Sequence, residues 1–219
     1  MTTLLHLDAS PRTERSLTRT LSAAFVSSWM KRRPDDRVIR RDVGLQPPPA
    51  LTEEWIAAAF TAPSERSLAQ QRTLALSDTL IDELEQADVV ILGTPMHNYG
   101  MPTALKAWVD HVVRIGRTFS FDLARGDAPL RPIMAGKQLA LLTSAGEFGF
   151  EPGGMRETMN HLDTHIQAIQ HYLGIAECHH IAVEYQEFGD DRHERSVVAA
   201  KASIVTTVNT IAARLKIAA

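Results

Sequence analysis

Hydroxyl side chains crowd residues 10–18, a short stretch between an apolar run and a periodic one. The stretch reads SPRTERSLT and offers the hydroxyls of Ser10, Thr13, Ser16 and Thr18. The start of a helix adds unpaired backbone N–H groups and the positive end of the helix dipole, which together favour a phosphate. Without a glycine the stretch matches neither the G-x-G-x-x-G motif nor a P-loop, so a terminal monophosphate fits better than a pyrophosphate. The alternative is that Ser16 is only the N-cap of a helix.

A second unusual stretch, GTPMHNYGMP at residues 93–102, joins a strand-like run to a helix-like run. It carries more flat and soft surface than an ordinary strand-to-helix turn. Its backbone and side chains can lie against an aromatic heterocycle, and the amide of Asn98 can hydrogen-bond the polar edge of such a ring. The residues of this platform are Pro95, Met96, His97, Asn98 and Tyr99.

A third stretch, TSAGEFG at residues 143–149, follows a further strand-like run. Its small residues allow a flexible turn that approaches the other edge of a ring held by the platform. A phosphate cradle and a ring platform in one protein predict FMN as the cofactor. Such a protein needs few catalytic side chains, because the flavin supplies the redox chemistry while the protein orients and tunes it.

Strand-like and helix-like patterns alternate along the whole chain. Short apolar runs predict strands at residues 3–9, 37–43, 87–95, 137–146 and 175–185. Apolar stripes of helical period predict helices at residues 16–33, 52–61, 64–86, 102–116, 155–173 and 191–217. Residues 117–136 carry no regular pattern and predict a long loop, which at that length is usually functional.

This alternation is typical of an α/β protein in which helices cover both faces of a parallel sheet. We predict a flavodoxin-like, doubly wound, five-stranded parallel sheet in the order 2-1-3-4-5. In such sheets ligands bind at the carboxyl ends of the strands, beside the point where the order reverses. That point lies after the first and third strands, so the hydroxyl-rich stretch and the platform are expected side by side.

The composition of the 219 residues is that of an ordinary globular protein, with 44% hydrophobic and 22% charged residues. A formal net charge of −3 gives no reason to expect nucleic acid or an acidic membrane as a partner. The N-terminus lacks the pattern of a signal peptide, and no apolar run is expected to approach membrane-spanning length. The single cysteine, Cys178, excludes an internal disulfide and is interpreted as a small core residue rather than a nucleophile. We expect one cytoplasmic domain over residues 1–219.

Several histidines have spacings that suggest metal ligands. His161 and His165 are one helical turn apart, but no glutamate follows the first as it does in a metalloprotease helix. His179 and His180 are adjacent on a predicted strand and therefore face opposite sides of the sheet. His111, on the helix after the platform, is interpreted as a packing or surface residue. We predict no metal site.

The segments SPR at 10–12, PMHNYGMP at 95–102, LKAWVDHVVR at 105–114 and TSAG at 143–146 resemble the FMN-dependent NADH azoreductases, also called quinone reductases. The resemblance extends over nearly the whole chain. It implies a homodimer with FMN at the dimer edge. It also implies a ping-pong cycle, in which NADH or NADPH reduces the flavin by hydride transfer and the flavin passes two electrons to a quinone or an azo compound.

The resemblance implies roles for individual residues as well. The phosphate would be held by Ser10, Ser16, Thr18 and the backbone N–H of Leu17. The isoalloxazine would lie on Pro95, Met96, His97, Asn98 and Tyr99, with its pyrimidine side closed by Ser144, Ala145 and Gly146.

Three positions depart from the family pattern. His97 replaces the more usual tyrosine, and its imidazole is expected to titrate near neutrality. His97 is the one catalytic candidate, because it could donate a hydrogen bond to a quinone oxygen as charge develops there. Ala145 and Glu147 stand where many members have a basic residue and a second glycine. The carboxylate at 147 is expected to disfavour anionic substrates.

Residues 52–61 and 102–115 are rich in large apolar side chains. One face of the sheet should not be able to cover all of these side chains, which favours a homodimer. They include Trp55, Phe60, Trp108 and Val112.

Two other functions use the same cofactor. An electron-carrier flavodoxin would be shorter and more acidic than this chain. A regulatory FMN-binding protein without turnover is left open by the sequence.

Overall fold

The computed structural model describes residues 1–217, with side chains described as far as Leu215. The strands are β1 Thr3–Asp8, β2 Arg37–Asp42, β3 Val89–Pro95, β4 Phe119–Phe121, β5 Leu130–Pro132, β6 Lys137–Ser144 and β7 Ile175–Val183. The helices are α1 Leu17–Arg32, α2 Glu53–Phe60, α3 Leu68–Gln86, α4 Thr103–Val112, α5 Asp163–Ile169 and α6 Asp191–Ile217.

Five parallel strands form one sheet in the order β2-β1-β3-β6-β7, so the predicted α/β fold and its order 2-1-3-4-5 are confirmed. The register places Leu4 of β1 beside both Val38 and Val89. The carboxyl end of β1 therefore lies next to that of β3. This adjacency brings the loops that follow these two strands to the same edge of the sheet.

Helices cover both faces of the sheet, and the apolar stripes predicted from periodicity are the surfaces that they bury. The face covered by α1 and α6 buries Phe25, Trp29, Ile204, Val208 and Ile211. The face covered by α3, α4 and α5 buries Leu80, Leu84, Leu105, Trp108, Val109 and Ile166.

Side-chain caps fix where two of the helices begin. Ser16 accepts a hydrogen bond from the backbone N–H of Arg19 at 3.4 Å and caps α1. Ser67 and Gln70 form a capping box, so α3 begins at Leu68 and not at residue 64 as predicted.

The helix predicted at 155–173 is wrong in length, because α5 has only seven residues. A Cβ on Gly154 would lie 2.5 Å from the carbonyl oxygen of Gly149, so the chain folds back on itself just before α5. Arg156 holds this fold by donating to the carbonyl of Phe148 at 3.0 Å. These tertiary contacts override the helical periodicity of the segment.

The loop predicted at 117–136 contains a short antiparallel hairpin of β4 and β5, in which Phe119 pairs with Pro132. The hairpin and its turn expose the apolar side chains Phe121, Leu123, Leu130 and Ile133.

Most of the apolar residues expected to lie uncovered are buried within this chain. Trp55, Trp108 and Val112 are at most 8% exposed, so that expectation is wrong for these three. The short helix α2 covers part of this region by packing Trp55 against Leu74 of α3. Phe60 is 73% exposed, and Ile56 on the same helix is exposed as well.

Helix α6 corrects one further expectation. Its residues Asp191–Leu215 are long and apolar enough to cross a membrane by length and composition alone. Ile204, Val208 and Ile211 of this helix are buried against the sheet, while Val198 and Val205 on its other side are exposed.

Candidate active site

The hydroxyl-rich stretch forms the loop between β1 and α1 together with the first turn of α1. Ser10, Ser16 and Thr18 are buried, and Ser16 Oγ lies 3.4 Å from Thr18 Oγ1. The backbone N–H groups of Leu17 and Thr18 belong to the first helical turn and have no intrahelical partner. Hydroxyl and N–H donors therefore lie together at the positive end of α1, and this donor set fits a phosphate.

Arg19 fixes the course of the hydroxyl-rich stretch through its backbone carbonyls. The guanidinium donates to the carbonyl oxygens of Ser10 at 2.6 Å and Arg12 at 2.8 Å. It also makes two bonds of 2.6 and 2.8 Å to the carboxylate of Asp42 on β2, and this partner raises the pKa of Arg19. These carbonyl oxygens would otherwise repel a phosphate, and the guanidinium of Arg19 offsets that repulsion by binding them. Sequence reasoning missed Arg19, because its carboxylate partner lies on another element.

The platform contains a tight turn at its centre. His97 and Gly100 exchange two backbone hydrogen bonds of 3.0 and 2.9 Å. Between them Asn98 and Tyr99 have φ of 47° and 66°, the pattern of a type I′ turn. Asparagine accepts this left-handed conformation readily, whereas for most other side chains it costs about 1–2 kcal/mol. The turn exposes the side chains of His97 and Asn98.

Contacts from a distant segment hold Tyr99 in this conformation. Its hydroxyl donates to Glu147 Oε2 at 3.0 Å, and its carbonyl accepts the N–H of His161 at 2.9 Å. The other carboxylate oxygen of Glu147 pairs with Arg156 at 3.1 Å. The bond to Glu147 raises the pKa of Tyr99, so the phenol stays protonated and remains a donor at neutral pH. Glu147 therefore joins the platform to the turn that follows β6.

The turn after β6 contacts both β3 and the loop after β7. The N–H of Met96 donates to the carbonyl of Ser144 at 2.8 Å, which continues the pairing of β3 with β6. Ser144 and Ala145 are buried at this edge. A Cβ on Gly146 would lie 2.6 Å from the carboxylate of Glu187, so a larger residue at 146 would displace that side chain.

His97 is exposed on the platform, and its pKa lies below the ordinary value. Partial loss of contact with water lowers the pKa most, and the positive charge of Arg12 lowers it further. Since the ordinary value is about 6.5, the imidazole is neutral at pH 7 and carries one N–H donor. The expected titration near neutrality is thus moved to more acidic pH. Arg12 was not recognised from the sequence as a neighbour of His97, because it lies in a different loop.

His111 is a packing residue, one of the two alternatives expected from the sequence, and not a surface residue. It is buried, and its Nε2 bonds the carbonyl of Pro49 at 3.0 Å. Its ring lies edge-on to Trp55, with 5.5 Å between the ring centroids.

The two histidines of β7 also make structural contacts. His179 Nε2 bonds Gln138 at 3.1 Å, and His180 Nε2 bonds Thr143 at 2.7 Å. Within residues 1–217, no three His, Cys, Asp or Glu side chains lie close enough together to share a metal ion.

Cys178 is exposed on β7, so its interpretation as a core residue is wrong. It lies in a concave surface, where solvent reaches it while protein atoms surround most of the thiol. This desolvation, with a smaller contribution from Asp163, raises the pKa of Cys178 to about 11. The thiol therefore stays protonated at neutral pH, in agreement with its interpretation as unreactive.

A groove of about 700 Å³ runs along β7. At one end it is lined by Met96, Ser144 and Ala145, which belong to the predicted ring site. The predicted phosphate contacts lie outside the groove.

Known proteins resemble this chain in sequence. A family model described as "Flavodoxin-like fold" matches residues 2–208. The chain is 52% identical over 204 residues to the "FMN-dependent NADH:quinone oxidoreductase 2" of Colwellia psychrerythraea, covering 90% of this chain and 93% of that protein. It is 44% identical over 197 residues to the "FMN-dependent NAD(P)H:quinone oxidoreductase 1" of Pseudomonas aeruginosa, again covering 90% of this chain and 93% of that protein.

Solved structures share the fold at lower sequence identity. An azoreductase from Bacillus anthracis superposes with a TM-score of 0.84 at 22% identity, covering 96% of this chain and all of the other. An FMN-dependent NADH-azoreductase from the same species, in complex with FMN, has a TM-score of 0.83 at 13% identity and covers 96% of this chain and 99% of the other.

Proposed function

This chain belongs to the flavodoxin-like family and, within it, to the FMN-dependent NADH:quinone oxidoreductases, and from that membership we propose how its own residues carry the activity. It is an oxidoreductase that depends on FMN, takes electrons from NADH or NADPH and reduces quinones. We infer further that residues 1–219 form one FMN-binding domain and that azo compounds are also substrates.

The proposed location of the site follows from one observation. Because β1 and β3 are neighbours, a cradle of buried hydroxyls and a left-handed turn lie at the same edge of the sheet. The cradle offers donors for a single phosphate, and the turn offers a flat surface with an exposed amide. FMN has one terminal phosphate and one flat ring, so its two ends match these two features.

The phosphate is assigned to the hydroxyl-rich stretch. Its proposed ligands are the hydroxyls of Ser10, Ser16 and Thr18 and the backbone N–H of Leu17. Hydrogen bonds from these donors to a charged phosphate are stronger than bonds between neutral groups, and the N-terminus of α1 adds to the attraction. Riboflavin, which lacks the phosphate, would gain none of these bonds.

The ring is assigned to the platform and to the turn after β6. The proposed contacts are Pro95, Met96, His97, Asn98 and Tyr99 on one side and Ser144, Ala145 and Gly146 at the pyrimidine edge. The Asn98 amide both donates and accepts, as the pyrimidine edge requires. When bound, FMN supplies the redox chemistry by accepting a hydride from NADH or NADPH and passing two electrons to the acceptor.

His97 is proposed to act on the acceptor. Its neutral imidazole can donate one hydrogen bond to a quinone oxygen as negative charge develops there. The positive charge of Arg12 nearby stabilises the same charge.

Donor and acceptor are proposed to use the same exposed side of the platform in turn, which gives a ping-pong cycle. The homodimer is proposed to bury the exposed apolar side chains of the α2–α3 region, Ile56, Phe60 and Leu68. A cytoplasmic location is proposed as well, since a single cysteine suits a reducing compartment.

Turnover by the purified protein loaded with FMN tests the function. We expect oxidation of NADH or NADPH that depends on added 2-methyl-1,4-naphthoquinone or an azo dye, with parallel lines in double-reciprocal plots. Intersecting lines would contradict the ping-pong cycle. A protein that binds FMN but is not reduced by either nucleotide would belong instead with the electron carriers. Sedimentation that gives only a species near 24.2 kDa at micromolar concentration would contradict the dimer.

A further inference from the structure

One face of the edge strand β7 is left uncovered by the helices that lie within residues 1–217. Ala176, Cys178, His180 and Ala182 alternate along the strand and are all exposed. Strands of parallel sheets in α/β proteins are normally buried on both faces, so this open face is unusual. The groove of about 700 Å³ lies against it.

The groove exists because α5 is short. Ile166 is the buried residue of α5, so this helix covers only part of the sheet beside β7. The chain before α5 folds back at Gly154 and forms a rim that includes Glu151 and Pro152 instead of continuing the helix. The groove is therefore a consequence of the same backbone fold that shortens α5.

The groove is continuous with the proposed ring site. Met96, Ser144 and Ala145 line it at the carboxyl end of the sheet. From there it follows β7 back to Ala176. Six residue steps from Ala182 to Ala176 correspond to about 20 Å of extended strand. A ligand in this space would be long and narrow, and the volume lies within the range of roughly 300–1,000 Å³ that small-molecule sites occupy.

The lining favours an uncharged ligand. The floor includes the apolar residues Leu141, Phe150, Ile166 and Ala182. None of the described residues that line the groove is a lysine or an arginine, while five are carboxylates: Glu151, Glu157, Asp163, Glu177 and Glu184. These carboxylates disfavour an anionic ligand.

Most polar groups of the wall already have partners. The hydroxyl of Thr143 is bonded to His180 at 2.7 Å, and Glu177 pairs with Arg214. Glu184 accepts the N–H of Gly149 at 3.1 Å. Asp163 Oδ1 is a buried oxygen of the wall without a partner among the described residues, and the groups already paired leave the rest of the wall to offer mainly apolar contact.

We propose that this groove holds the apolar side chain of a substituted quinone, whose ring lies beside the proposed FMN ring site at the end of the groove lined by Met96, Ser144 and Ala145. This inference rests on the proposed function, which supplies the quinone. Each methylene removed from water favours binding about four-fold, so a long alkyl chain lowers KM strongly even after the ordering of the chain is subtracted.

The first test compares two quinones on the FMN-loaded enzyme. One is 2,3-dimethoxy-5-methyl-1,4-benzoquinone, and the other carries a decyl chain on the same ring. We expect kcat/KM of the wild type to favour the decyl quinone by at least about ten-fold, mainly through KM. Ala182→Trp, which fills the groove from an exposed position, should reduce this preference to within about three-fold and leave the chainless quinone within about two-fold. Val205→Trp, at an exposed position of α6, is the matched control and should keep the preference.

The second test uses Cys178 as a reporter, because it is the single cysteine of the chain and lies in the groove. The probe is the dimethyl ether of the decyl hydroquinone, which neither accepts electrons nor alkylates thiols. Because the pKa of Cys178 is about 11, alkylation by iodoacetamide is followed over hours at pH 9.5, where a small fraction of the thiol is ionised. The decyl ether should slow this alkylation by about five-fold or more, whereas the chainless dimethyl ether should not.

The outcomes separate the two proposals. A wild type that does not reduce the chainless quinone overturns the proposed function and this inference with it. Reduction of the chainless quinone without a preference for the decyl chain overturns this inference alone. Unchanged alkylation of Cys178 in the presence of the decyl ether overturns it as well.

Discussion

Replacing Glu147 with alanine should weaken FMN binding although Glu147 is not one of the proposed FMN contacts. The substitution removes the acceptor for the Tyr99 hydroxyl at 3.0 Å and the partner of Arg156 at 3.1 Å. Tyr99 has a φ of 66°, and without its anchor the type I′ turn loses a contact that holds it there. FMN binding then has to restore the shape of the platform.

The size of the effect follows from these contacts. The hydrogen bond of the Tyr99 hydroxyl and the partly exposed pair with Arg156 are both screened by water, so the effect comes mainly from the backbone that they hold. The left-handed conformation of Tyr99 costs about 1–2 kcal/mol, which is what the platform must recover on binding. We therefore expect an increase of about 5- to 30-fold in the Kd for FMN.

Titration of the apoprotein, followed by quenching of FMN fluorescence, measures this Kd. Glu151→Ala is the matched control, because Glu151 is an exposed glutamate of the same loop and has no side-chain partner among the described residues. Tyr99→Gly supplies a residue that adopts positive φ without strain. In that background Glu147→Ala should have no further effect. A Kd within two-fold of wild type, or an equal loss from Glu147→Ala with either residue at 99, would refute the reasoning.

Three further predictions concern the site and its surroundings. Replacing Ser16 and Thr18 together with alanine should weaken FMN binding by about 1–3 kcal/mol and leave riboflavin binding unchanged, because only donors to the phosphate are lost. Calorimetry that shows equal losses for both ligands would contradict this prediction. His97→Phe should leave flavin reduction by NADH within a few-fold and slow quinone reduction by about 10- to 100-fold in stopped-flow experiments. Because the pKa of His97 is lowered, the quinone step of the wild type should quicken only as pH falls below about 6.5, and a variant that keeps this acceleration would exclude His97 as the donor. The pKa of His111 is lowered by burial, so the folded state binds this proton less readily than the unfolded state. The stability that His111 contributes is thus fully present above about pH 6.5 and is lost as pH falls through the lower pKa of the folded state. Denaturant titrations should therefore show that the free energy of unfolding falls less between pH 7.5 and 5.5 for His111→Gln than for wild type.

The sheet could be predicted from the sequence because its signals are local. Each strand of the parallel sheet is a short apolar run, and each long helix carries an apolar stripe, so the order of elements and the adjacency of β1 and β3 followed from general rules. Ser16 could be recognised as a cap for the same reason. The platform and the hydroxyl-rich stretch were located by this reasoning, and their contacts with FMN stay predictions.

What the sequence did not reveal depends on contacts between distant residues. The bond between Tyr99 and Glu147 joins residues 48 positions apart, and it holds a tyrosine in a conformation that local preferences oppose. The short α5 has the same origin, because residues 155–162 have helical periodicity but are folded by contacts with Phe148 and Gly149. The exposure of Cys178 follows from that fold and could not be read from the apolar run around it.

The pairing of β1 with β3 has a consequence for the order in which this protein folds. Thr3 bonds Asp88 across 85 residues of chain, so closing the loop between the two strands costs about 4 kcal/mol of chain entropy plus a constant term. Contacts of such long range form late, because local helices form before a distant strand can be captured. The cradle after β1 and the platform after β3 therefore come together only when the central sheet does. FMN can recognise both only in the assembled chain, so added FMN should slow global unfolding and raise the melting temperature with its concentration, while the rate at which the chain first folds should be unaffected.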